Sequence, residues 1–159
     1  MIEVEMLQTM ADYHHALYGK LWDSIMQLTD EQFVEPLAYS RGSIRDQMVH
    51  VANTDARWLR GLQEDPTARS LHFDPAEYDT RERALALWEE VSAELAAYVA
   101  TLDGEAAAHV LAGIGAPAWQ VVLHVVNHGT DHRAQILRAL YDLGAPTFDQ
   151  DLILYLRTR

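Results

Sequence analysis

Residues 124–135 read HVVNHGTDHRAQ and set His124, His128 and His132 four residues apart. Imidazole nitrogens ligate transition metals. On an α-helix, residues four apart share a face and sit about 6 Å apart along the axis, so one adjacent pair can chelate a single ion. All three cannot do so together. His124 and His132 are eight residues apart, about 12 Å along a helix axis, whereas metal–nitrogen bonds are about 2 Å long. The stretch therefore offers either His124 with His128 or His128 with His132. A stable site needs at least one further ligand from another helix.

His50, in RDQMVHVANTDARWL, is the best candidate for that ligand. It lies mid-helix beside Met48, Val49, Val51 and Ala52, where an imidazole without a partner is costly. A lone buried histidine has an ordinary alternative, a hydrogen bond to a carbonyl or carboxylate. Together with a helical histidine pair the ligand reading prevails, because bundles build metal sites from side chains on facing helices. The remaining histidines carry less. His14 and His15 are adjacent, so at most one reaches the interior. His72 and His109 fall in connections and are expected to be solvated.

Composition narrows the chemistry. The 159 residues contain no cysteine, which removes disulfides, thiolate zinc sites and a cysteine nucleophile, and leaves His, Asp and Glu as metal ligands. A formal charge of −12 with no basic cluster repels a phosphate backbone, so nucleic acid is not an expected partner. With 49% apolar and 23% charged residues, the chain has the makings of one ordinary globular domain over 1–159 rather than a disordered one. MIEVEMLQTMADYHH lacks the basic and apolar regions of a signal peptide, and no apolar run approaches the length of a membrane span. A cytoplasmic protein with no membrane partner is the expectation.

Four segments have helical periodicity: about Met6 to Leu28, Ile44 to Leu62 with Ser43 as N-cap, Thr80 to Leu102, and Pro117 to Leu143. The third carries Leu85, Trp88, Val91, Leu95, Tyr98 and Leu102 on one face and Glu89, Glu90 and Glu94 on the other. The fourth is apolar nearly all round, which suits a central helix, and Gly144 and Pro146 end it. Residues 63–79 hold two prolines and no period, and FDQDLILYLRTR reads as a short final helix packing back on the bundle. No strand period stands out. The expected fold is all-α, a four-helix bundle with a long crossover between helices two and three and a short C-terminal helix. No nucleophile elbow or phosphate-binding loop accompanies it; LAGIGAP lacks the strand that a nucleotide fingerprint requires.

The sequence resembles the DinB/YfiT-like family of bundle metalloproteins over nearly its whole length. The resemblance rests on SRGSIRDQMVHVANTDARWL (40–59), VVLHVVNHGTDHRAQI (121–136) and the closing PTFDQDLILYLR. It implies an up-down-down-up bundle, often a homodimer, with a divalent metal on His50, His128 and His132. His124 then becomes a neighbour one turn away. The family motif commonly reads HRGQ, and Ala134 replaces its glycine, which leaves the ligands intact but could narrow a local backbone approach.

Three neutral histidines leave an open position on Zn, Ni or Fe, where water or a thiol can lose its proton. The implied function is a metal-dependent transferase using a low-molecular-weight thiol, or a hydrolase, acting on a small-molecule substrate that the sequence does not name. The alternative is a non-catalytic, metal-bearing dimeric binding module of the stress-response type. Asp46 and Asp131 lie near ligands as possible hydrogen-bond partners, with a plain surface carboxylate as the ordinary reading. Arg133 and Gln135 either line the pocket or bridge helices.

Overall fold

The computed structural model describes residues 4–159; the first three residues of the acidic N-terminal stretch lie outside them. Within this range the chain is all-α apart from one very small hairpin. Four long helices dominate: α1 (Val4–Ile25), α3 (Ile44–Leu62), α4 (Arg81–Thr101) and α6 (Ala118–Asp142). Short helices α2 (Asp30–Val34), α5 (Gly104–Ala108) and α7 (Leu152–Thr158) join or flank them. Both α1 and α3 pack against α4 and α6, so the two helices that carry the candidate ligands, α3 and α6, are direct neighbours. No helix among the described residues is long and apolar enough to cross a membrane.

The local chemistry explains where these helices begin. Ser43 accepts from the Asp46 amide while Asp46 accepts from the Ser43 amide, a reciprocal cap that starts α3 at Ile44. Thr80 caps α4 through the Arg83 amide, and Pro117, which has no N–H to satisfy, precedes α6. The connection after α3 holds two 3₁₀ turns, Pro66–Arg69 and Pro75–Glu77, each led by an aspartate whose side chain caps it. Among the described residues the strand content is β1 (Val110–Leu111) paired antiparallel with β2 (Ala116–Pro117).

The core follows the helical faces with some shifts. Leu17, Leu21, Ile25, Met48, Val51, Trp88, Val91, Val125 and Ile136 are buried. Met6, at the open end of α1, is 51% exposed, and Leu85 and Tyr98 are only half-buried. On α4 the buried stripe instead includes Ala84, Leu87 and Val99, while Glu89, Glu90 and Glu94 face solvent. Helix α1 stops at Ile25, yet Leu28 remains buried in the turn that follows. Arg81 braces that turn, donating to Asp30 Oδ1 at 2.9 Å and to the carbonyls of Met26 and Leu28. The final helix α7 contains no buried residue; Tyr155 lies edge-on to Tyr13, with ring centroids 5.6 Å apart.

Candidate metal centre

His50 on α3 meets His128 and His132 on α6. One ring nitrogen from each lies within 4.8 Å of the other two, and His50 Nε2 is 3.2 Å from His128 Nε2. Two nitrogens on a tetrahedral ion with bonds of about 2.0–2.1 Å are separated by about 3.3 Å. The first pair is therefore already at ligand spacing. The widest separation allowed within the trio exceeds it by about 1.5 Å, which side-chain rotation can close.

The surroundings favour the neutral form of each ring. Burial pushes His50 down to about 4, with the Arg41 cation and the other two imidazoles adding to the shift. Burial, followed by His132, pushes His128 down to about 4. Burial also lowers His132. Neutral imidazole is the state a metal requires. On His132, Nδ1 lies 3.3 Å from Gln47 Oε1. An amide oxygen only accepts, so Nδ1 carries the proton and Nε2 keeps the lone pair. Asp55 supplies negative charge that acts on both His128 and His132. Donor set and spacing together fit a divalent cation.

The other residues singled out by sequence have separate places. His124 is exposed, edge-on to Trp58 at 4.9 Å between centroids and 6.0 Å from the His128 ring, outside the trio. Asp46 caps α3 and pairs with Arg45 at 2.8 Å. Asp131 is exposed and accepts from Gln135 at 3.1 Å. Gln135 in turn accepts from the Ser40 hydroxyl at 2.6 Å, bridging α6 to the segment before α3. Arg133 is fully buried and also bridges, binding Gln150 and Tyr13 rather than lining the site. Ala134 faces solvent, so its methyl narrows no backbone approach. His72 and His109 are exposed, His109 lying 3.3 Å from Glu64.

Sequence reasoning missed four contributors. Gln47 stands one turn before His50 on α3, a spacing that places both on one face and was the available signal. Arg41 reaches His50 from the preceding loop, with Nη1 3.3 Å from Nδ1. Asp55 and His14 form a buried pair, Nε2 to Oδ2 at 3.3 Å, while His15 turns outward to Ser92. Gly129 is the fourth. Its carbonyl accepts from the Tyr18 hydroxyl at 2.9 Å, and a methyl on its Cα would overlap the His14 ring and stand 3.2 Å from Tyr18.

A helix-interior glycine changed to alanine ordinarily gains roughly 0.5–1 kcal/mol, whereas overpacking a tight core costs about 1–3 kcal/mol. Here α1 and α6 touch through two buried rings, so the overlap prevails. Gly129→Ala is expected to lower stability by about 1 kcal/mol or more in urea denaturation; a gain in stability would show that His14 moves aside freely.

His50, His124 and His128 also line a cleft of about 820 Å³. Its other walls come from Thr54, Trp58 and Gly61 on α3, from the segment after α3, and from the loop Ala112–Ile114 between β1 and β2. The histidine cluster is thus open to a small molecule on the side of His50 and His128.

Comparison with known proteins agrees with this arrangement at the level of the family. No curated protein matches the chain. The model of the DinB family matches residues 4–159, and that span contains all three clustered histidines. The chain belongs to the DinB family.

Proposed function

We propose that this protein is a divalent-metal-dependent enzyme in which His50, His128 and His132 hold Zn, Ni or Fe and the adjoining cleft receives the substrate. The observation that carries the reading is that two of the clustered histidines, His50 and His128, line a cleft of about 820 Å³ instead of being sealed in the core. A bound ion supplies Lewis acidity that lowers the pKa of a water or thiol reaching its open side.

The protein's own groups set the stage for that chemistry. Gln47 fixes the His132 tautomer, and Arg41 places a cation beside His50 that favours an approaching anion. Burial keeps the imidazoles neutral. The reaction class proposed is transfer of a low-molecular-weight thiol to an electrophile, or hydrolysis of an ester or amide. Protein loaded with Zn, Ni or Fe is expected to consume a thiol in the presence of an electrophile, or to cleave an ester. His132→Ala should lose that turnover. If no thiol, ester or amide is turned over in a metal-dependent way, the enzyme reading fails and a metal-bearing binding module takes its place.

A further inference from the structure

The cationic side chains of this acidic protein are distributed unevenly. Arg45, Arg60, Arg81, Arg83, Arg138 and Arg159 each lie within 4.0 Å of a carboxylate. Among the described residues, the exposed cations with no such partner are Lys20, Arg41, Arg57, Arg69 and Arg157. Arg57 and Arg69 line the cleft, and Arg41 touches His50. A chain with a formal charge of −12 therefore keeps most of its uncommitted positive charge around one opening.

The two acidic residues of the cleft keep their charge, but each is directed to another partner and neither pairs with Arg57 or Arg69. Glu64 sits at a positive φ of 54° just after α3 and accepts from the Ala112 amide at 3.2 Å, anchoring the loop above the cleft. Asp65 accepts from the Thr67 amide at 2.8 Å and pairs with Arg60 at 3.5 Å. By contrast, Arg57 spends a single Nη2–H on the Arg69 carbonyl, at 3.4 Å. That bond holds Arg57 against the segment that carries Arg69 and leaves both guanidiniums free to bind.

Spacing along α3 orders the cleft. His50, Thr54, Arg57 and Trp58 follow one another at helical steps on the cleft-lining face. The seven residues from His50 to Arg57 correspond to about 10 Å along the axis. The same cleft has an apolar wall: Trp58, braced edge-on by His124, and Ile114, which packs over Gly61 because that position has no side chain.

We propose that the cleft binds an elongated monoanionic molecule, its carboxylate held by Arg57 and Arg69, its apolar body on Trp58 and Ile114, and its reacting end at the histidine trio. The inference rests on the reading of the trio as an open catalytic centre and names the substrate class for it. Arginine is suited to the task because its planar donors match a carboxylate's two oxygens, while the apolar wall supplies area without charge.

The test separates the anion subsite from the metal by using metal-free full-length protein. Calorimetric titration compares 4-phenylbutyrate with its neutral amide, 4-phenylbutyramide. The acid is expected to bind roughly tenfold more tightly, as one charge-assisted arginine contact allows. Arg57→Gln/Arg69→Gln should erase that preference without changing the affinity of the amide, and Trp58→Ala should weaken both ligands. Both arginines are exposed, so a thermal melt should show the double variant folded like the parent. Equal binding of acid and amide, a preference that survives the double substitution, or no binding of either would overturn the inference. Metal uptake is measured on the same protein after zinc is added back. An arginine-dependent preference in protein that takes up no metal would leave the anion subsite standing and refute the metal reading instead.

Discussion

His128→Ala is expected to lower the affinity for a divalent ion by at least roughly 100-fold, because losing even a group that only orients a ligand typically costs 10–100-fold. His128 contacts both other members of the cluster. Its Nε2 is 3.2 Å from His50 Nε2, and its ring centroid is 4.6 Å from that of His132. Removing it leaves two imidazoles on different helices with no third donor. Purified protein titrated with zinc should show one equivalent bound in the parent and no saturable site in the variant. His124→Ala, which removes a ring outside the trio, should leave the stoichiometry unchanged, and Gln47→Leu should weaken binding by about 10–100-fold. Equal zinc uptake by parent and His128→Ala would remove the site.

The pH dependence of uptake follows from the same environment. Only neutral imidazole binds metal, and an ordinary histidine near 6.5 is mostly protonated at pH 6. In this protein burial holds His50 and His128 down to about 4. Protons therefore compete with metal at these two rings only well below pH 6. Zinc affinity should change little between pH 7.5 and 6 and fall steeply toward pH 4.

The largest stability effect is expected from Arg133→Ala, about 3–5 kcal/mol by urea denaturation. The side chain is fully buried, and truncating a large buried group costs about this much through lost contacts and the cavity left behind. Its Nε–H donates to Gln150 Oε1 at 2.8 Å, and one Nη2–H donates to the Tyr13 hydroxyl at 3.0 Å. The guanidinium also lies over the rings of Tyr13 and Tyr18, at 5.1 and 5.4 Å from their centroids. These contacts join α6 to α1 and to the segment that leads into α7. Because α7 buries no side chain of its own, its amides should exchange faster in the variant than those of α3. Arg133→Met keeps most of the volume and should cost clearly less, which separates lost packing from lost hydrogen bonds. Equal stability of Arg133→Ala and parent would contradict this account of how the C-terminal segment is held.

Much of this was legible in the sequence where the cause is local. Helix α3 has the bounds that periodicity and Ser43 predict, Ile44–Leu62, because its start is a cap written in adjacent residues. That no single ion can take all three of His124, His128 and His132 follows from helix rise alone, and the structure places the His124 ring against Trp58. The grouping of His50 with His128 and His132 came from the family motif, since spacing left two histidine pairs open. Helices α2 and α5 and the hairpin at 110–117 escaped because two to five residues are too few to show a period. Asp55 and Arg57 carry no signature of their own, and Gln47 has only its one-turn spacing from His50. Their roles arise from burial against other helices, or from a cleft whose walls lie far apart in sequence, as Trp58 and Ile114 do. Met6 illustrates the converse: it fits the apolar period of α1 but lies beyond the neighbours that would cover it.

X-ray absorption at the zinc edge, on protein loaded with one equivalent of zinc, tests the central claim most directly. The account predicts three imidazole nitrogens at about 2.0–2.1 Å and at least one further light ligand on the open side. A spectrum with fewer than three imidazoles, or one that is unchanged in His50→Ala, would contradict it.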